Sequence, residues 1–411
     1  MLRYSYILLF ATAILFTACS SDSTLSEEKV VNLNQPMVFG TMTEATETES
    51  KVTRGSNLED TYTDFKVGVW KSFGTGAQQN VMDSYKVVHD GNPATDSKYT
   101  YNWTYENVLD GQILRYWDLG AFPYEFRAVA PYMADATIST AGLTINTSSK
   151  PFKAQQLINS TYNLTDRESE PCVIAHISRT KDETGYTDTD VIKDKEINFA
   201  AGKADATRAV HVPFHHLISK VGFRIYIDNP QPVRPDWQND YGVWIDKITI
   251  TVEKEGFITE SQTYSASNDT GLLNGTFGGN TTTDVYTLLS HNEYKNTGQN
   301  LHNHLSRATA FDLTPNFLQQ IPQDNVKIRV KMEIHTNHVE NDQQKFEYDS
   351  ILSLENQNET DIEGDQFTWK PNTRYIYYLH IPNLHGHKIY LNTCEILPWD
   401  DVQTSDIQIE L

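Results

Sequence analysis

Phe65-Lys66-Val67-Gly68-Val69-Trp70 alternates, with Phe65, Val67 and Val69 on one face and Trp70 beginning a change of phase. A period of two belongs to extended backbone, where successive side chains point to opposite faces. The same grammar continues along the chain. Tyr99-Thr100-Tyr101-Asn102-Trp103-Thr104-Tyr105 alternates, and so does Tyr124-Glu125-Phe126-Arg127-Ala128-Val129-Ala130 before Pro131. Lys220-Val221-Gly222-Phe223-Arg224-Ile225-Tyr226-Ile227 is a strand stopped by Asp228-Asn229-Pro230, whose chemistry favours a turn. Runs from Trp244 to Val252, Val326 to Ile334 and Tyr375 to Ile381 follow the same rule. Short alternating strands between Gly, Asn, Asp and Ser turns predict an all-β chain built from antiparallel β-sandwiches. One short helix is expected near Phe311 to Gln320, with Pro315 inside it.

Toward the N-terminus the pattern breaks. Residues Ser20 to Ser56 form a polar, acid-rich leader interrupted by one strand-like patch, Val30-Val31-Asn32-Leu33 through Met37-Val38-Phe39. The leader ends in Lys51-Val52-Thr53-Arg54-Gly55-Ser56-Asn57, where basic residues stand beside glycine. Ahead of it come Met1-Leu2-Arg3, an apolar run from Ile7 to Phe16, and Leu15-Phe16-Thr17-Ala18-Cys19. That layout is a bacterial lipoprotein signal peptide: Arg3 gives the positive start, and the apolar run is shorter than the roughly 20 residues that span a bilayer. Small Ala18 fits a cleavage pocket, and the Cys19 thiol is the group suited to accept a diacylglycerol. The expected organisation is a signal peptide over 1–18, a propeptide with a removable first strand over 19–54, an N-terminal sandwich over 55–203 and a C-terminal sandwich over 204–411. The linker falls at Asn198 to Thr207, and Val210-His211-Val212-Pro213-Phe214-His215-His216 opens the second domain.

Composition narrows the partners. The 411 residues carry 33 basic and 54 acidic side chains, a net charge of −21 that disfavours nucleic acid and anionic lipid. Apolar content is 38%, below the roughly 45–50% of ordinary domains. Besides Cys19 there are Cys172 and Cys394, far apart in sequence and expected as buried small apolar residues.

No nucleophile elbow, phosphate loop, zinc-protease helix or dinucleotide fingerprint occurs, so neither an enzyme nor a cofactor is expected. The histidine pairs His302/His304, His335/His338 and His385/His387 have no carboxylate or cysteine at metal-site spacing, and no metal is expected. His215-His216 is expected at a strand end in a hydrogen-bonded core margin. Tyr116, Trp117, Phe122, Tyr124 and Phe126 are expected as core and edge packing; the alternative is a sugar platform on a surface glycan-binding lipoprotein. The C-terminus, Asp406-Ile407-Gln408-Ile409-Glu410-Leu411, alternates to its last residue. That is the pattern of a donated strand, with Ile407, Ile409 and Leu411 filling pockets, or of an ordinary last strand.

Taken in order, the Cys19 lipobox, Thr53-Arg54, Phe65 to Trp70, Tyr116-Trp117 with Tyr124 to Pro131, Pro213 to Val221 and Trp369-Lys370-Pro371-Asn372-Thr373-Arg374-Tyr375-Ile376-Tyr377 resemble the fimbrillin superfamily of Bacteroidales. Its members build or cap lipoprotein-derived (type V) pili. The resemblance implies two transthyretin-like β-sandwich domains and export as a lipoprotein to the outer membrane. It further implies that an Arg-specific protease cuts at Arg54, leaving Gly55 as the new N-terminus, and that loss of the first strand opens a groove for a strand from another subunit. The patch from Val30 to Phe39 matches the lost strand, and the segment from about Pro398 to Leu411 matches the donor. Implied partners are other pilus subunits, the protease, the membrane through the lipid anchor, and a host or bacterial surface receptor. Stalk, tip and anchor members share most of these motifs.

Overall fold

A computed structural model of the chain describes residues 36–40, 62–89, 103–147, 173–182, 185–192, 195–198, 209–228, 242–252, 257–258, 262–278, 281–282, 285–290, 299–314, 317–337, 344–352, 367–384 and 388–398. Among them there is no α-helix, only strands, turns and three short 3₁₀ segments. The fold is all-β, as the alternation predicts.

The first sheet is built from β1 (Phe39–Gly40), β2 (Asp64–Lys71), β3 (Gln79–His89), β4 (Trp103–Thr104) and β5 (Tyr124–Ala130). Two small strands follow, β6 (Thr137–Ser139) and β7 (Gly142–Thr147), and then β8 (Val173–Asp182), β9 (Gly185–Asp190) and β10 (Lys195–Asn198) rejoin the first sheet. It is completed by β11 (Val210–His211) and β12 (His215–His216), giving the order β10-β9-β8-β5-β2-β3-β4-β1-β11 with β12 beside β8. Phe65, Val67 and Val69 share one face with Phe126, Ala128, Ala175 and Ile177 and form its core. Trp70 does not change the phase. It keeps the alternation and is buried on the opposite face with Val129 and Ile174, so this sheet is covered on both sides.

The second core lies between two sheets, as in a sandwich. One contains β13 (Ser219–Ile227), which runs parallel to Thr373–Ile381, itself paired with Tyr390–Pro398. The other is ordered Val285–Ser290, Gly242–Val252, Ile328–Asn337, Gln344–Ile351. Alternate residues Val221, Phe223, Ile225 and Ile227 meet Ile245, Ile248, Val330 and Met332 between them. Cys394 is buried in this core with its thiol pushed up to about 12, chiefly by burial, so it behaves as the expected small apolar residue.

Three further expectations need correction. The helix near Phe311 to Gln320 is replaced by strands Phe311–Asp312 and Leu318–Gln320, both paired with β13; a proline with no N–H in so short a segment leaves little for a helix to gain. The segment from Val210 to His216, expected to open the second domain, contributes β11 and β12 to the first sheet, and Val210 and Val212 are buried in its core. Finally, Gln262–Ser267, from the second half of the sequence, pairs with β7 from the first, so the halves share a four-stranded sheet. That junction requires Gly142: its φ is +151°, and a Cβ there would lie 2.1 Å from the Ala266 carbonyl oxygen.

Candidate functional site

The first core contains a segment that does not follow from its neighbours in sequence. Residues 36–40 belong to the leader, upstream of Arg54, yet Met37 and Phe39 are fully buried. Alternation explains which residues go inward: Met37 and Phe39 are two apart and face the core, and Val38 between them stays partly exposed. The Phe39 ring stands edge-on to Phe65, Tyr105 and Phe126, with centroids 5.7, 5.9 and 6.2 Å away. Such edge-to-face contacts suit the quadrupole of each ring.

The backbone of the segment is held from both sides. On one side the Met37 N–H donates to the Arg115 carbonyl at 2.8 Å. The Tyr105 hydroxyl accepts the Arg115 N–H at 3.2 Å and donates to the Met37 carbonyl at 2.8 Å. Phe39 pairs antiparallel with Trp103, and Pro36 bridges to Tyr116. On the other side the Val210 N–H donates to the Val38 carbonyl at 2.7 Å, and β1 runs parallel to β11. A strand placed between two others with alternate side chains buried fills a groove whose walls are β4 with Tyr105 to Trp117 on one flank and β11 on the other. Burial pushes the Tyr105 phenol from 10.0 up to about 12, so its proton is kept and stays available to Met37.

The aromatic cluster packs as expected. Trp117, Tyr124 and Phe126 are buried, Phe122 is partly buried, and Tyr116 is 48% exposed at the groove end. Trp117 stands 4.9 Å from Tyr124 and lies under the Arg179 guanidinium, which leaves it no open face for a sugar. His215 opens β12 with its Nε2 2.7 Å from the buried Asp190 carboxylate, a core-margin hydrogen bond at a strand end. His335 is buried against Asp246. Among the described residues no group of three or more His, Cys, Asp or Glu is placed to hold a metal ion, and no helix is long and apolar enough to cross a membrane.

Cys19, Arg54, Gly55, Ile407, Ile409 and Leu411 lie outside the described residues, as do Cys172, His338, His385 and His387. The structure therefore brings together the end of the predicted removable strand and the groove holding it. Sequence reasoning placed one wall in a strand, the alternating run from Tyr99 to Tyr105, and missed the rest. Nothing in that run shows the Tyr105 hydroxyl reaching Met37, Arg115 carries no pattern, and β11 is too short to show a period.

Neither a family model nor a curated protein matches the chain. Solved structures do. The chain is similar to a fimbrial protein from Bacteroides vulgatus, 11% identical over 89% of this chain and 100% of that one, with a TM-score of 0.49. It is also similar to the tip fimbrial protein Mfa3 from Porphyromonas gingivalis with a C-terminal truncation, 10% identical over 89% of this chain and 100% of that one, with a TM-score of 0.29. Both of these similar proteins are fimbrial.

Proposed function

We propose that this chain is a structural subunit of a cell-surface pilus that mediates adhesion without catalysis. In this reading it is exported as a lipoprotein acylated on Cys19 and held at the outer membrane. An Arg-specific protease then cuts after Arg54, the leader strand departs, and a strand from another subunit enters the groove. The donor is the C-terminal segment, with Ile407, Ile409 and Leu411 entering where Met37 and Phe39 leave.

One observation carries the reading. The strand in the groove belongs to a segment upstream of the candidate cut, so after cleavage only non-covalent contacts retain it. Two buried side chains contribute about 1.5–3 kcal/mol each, and each ladder hydrogen bond adds about 0.5–1.5 kcal/mol net. A longer alternating strand with three apolar anchors makes more of both.

The test is assembly in vitro. Full-length protein treated with an Arg-specific protease should lose the leader peptide and give oligomer ladders on an unboiled gel, while the Arg54→Ala protein should give neither. Ladders from uncut protein would contradict the proposal.

A further inference from the structure

The wall of the groove opposite Tyr105 is a two-residue strand, β11, that pairs with no described strand other than β1. Something besides the groove's occupant has to hold it. The carbonyl of Ala209 and the N–H of Val210 belong to one peptide unit, and a trans peptide is planar, with its C=O and N–H pointing in opposite directions. The N–H faces the groove and donates to Val38 at 2.7 Å. The C=O faces away and accepts from Arg179 Nη2 at 3.1 Å. Arg179 is itself fixed: it sits directly across from Asp188 in the β8–β9 ladder and forks onto that carboxylate through Nε and through Nη2, the latter at 2.6 Å. Its guanidinium lies 4.8 Å from the Trp117 ring, and both charged side chains are at most 2% exposed.

We infer that Arg179, locked by Asp188, is a positioning residue of the groove: it grips the Ala209 oxygen so that the Val210 N–H is presented to whichever strand fills the groove. A charge-assisted bond at one end of a peptide orients and polarises the other end. The leader is read through that N–H now. The extension to an incoming strand rests on the strand-replacement reading above.

Amide hydrogen exchange on the full chain tests the first part without any strand replacement. The paired substitution Arg179→Met with Asp188→Leu removes both charges together, which proteins tolerate better than loss of one partner. Protection of the Val210 and Met37 amides should fall about tenfold or more while amides of Ile328–Asn337 keep theirs. Arg179→Lys, which keeps the charge and loses the fork, should also lower Val210 protection, and it decides the matter should the paired variant not fold. Unchanged protection at Val210, or an equal fall at every amide, would overturn the inference. In a second arm, protein cut after Arg54 and freed of its leader is offered a synthetic peptide of residues 32–41. The paired variant should capture it at least about tenfold more weakly than the unsubstituted protein, and equal capture would overturn the inference. If the unsubstituted protein captures none, the strand-replacement reading fails, and the exchange measurement still decides the role of Arg179.

Discussion

Phe39 and Phe65 meet edge-to-face, ring centroids 5.7 Å apart at 90°, and Arg54 stands between them in sequence. A cut at Arg54 therefore leaves this pair in contact while removing the chain that joins them. Before the cut the leader strand is intramolecular and its effective concentration is high; after it, the same contacts must hold a separate peptide.

Phe39→Ala removes the ring that three other aromatics surround, and large-to-small changes of this kind cost about 3–5 kcal/mol. In uncut protein the first core should lose that stability in a denaturant titration followed by tryptophan fluorescence. In protein cut at Arg54 the leader should leave faster, read as release of the peptide by mass spectrometry. Unchanged stability and release would mean that the Phe39 site tolerates the loss of its ring.

Alkali should weaken the first core. Burial raises the Tyr105 and Tyr124 phenols from 10.0 to about 12 in the folded chain. A raised folded pKa means that the folded state holds the proton more tightly, so the stabilisation is complete below pH about 10 and is lost as pH rises toward about 12. Tyr105→Phe should reduce that alkaline loss and, by removing the donor to the Met37 carbonyl, weaken the leader at neutral pH by about 1 kcal/mol. Thermal unfolding between pH 8 and 12 checks both.

Gly142→Ala should damage the sheet shared by the two halves. A Cβ 2.1 Å from the Ala266 oxygen forces backbone apart, and the φ of +151° is strained for any L side chain. The expected result is loss of exchange protection in Gly142–Thr147 and Gln262–Ser267 by about 1–3 kcal/mol, with Ile328–Asn337 unaffected.

Much of the fold was legible because its long strands obey one period: Phe65, Val67 and Val69 on one sheet and Val221, Phe223, Ile225 and Ile227 on another fall inward as their alternation predicts. What sequence did not disclose is non-local. Val210–His211 is too short to show a period, and its partner is a parallel strand from the leader. Gln262–Ser267 alternates like any strand, and nothing in it says that its neighbour is β7. Trp70 looked like a phase change because a second buried face was not expected. Within the site, the strand at Met37 and Phe39 was visible as a patch and Tyr105 closed an alternating run, whereas the hydrogen bonds by which Tyr105 and Arg115 hold Met37 leave no pattern.

Cys19→Ala should leave the protein without a lipid anchor. Two or more acyl chains hold a protein on a bilayer, at about 0.8 kcal/mol per buried CH₂. Unsubstituted protein should partition into the detergent phase and the variant into the aqueous phase. Mature-sized variant remaining in detergent would point to another anchor.

The central claim is that a tail strand from one subunit replaces residues 36–40 of another. It is tested most directly by deleting Ile407 to Leu411 and following unfolding and assembly together. The account predicts a folded protein with near-normal thermal unfolding that is cut at Arg54, releases its leader and forms no ladder, with Ile409→Asp behaving nearly the same because an unpaired carboxylate in an apolar pocket costs several kcal/mol, on the order of 3 or more. Ladders formed normally by the truncated protein, or a C-terminal core that unfolds when the tail is removed, would contradict it.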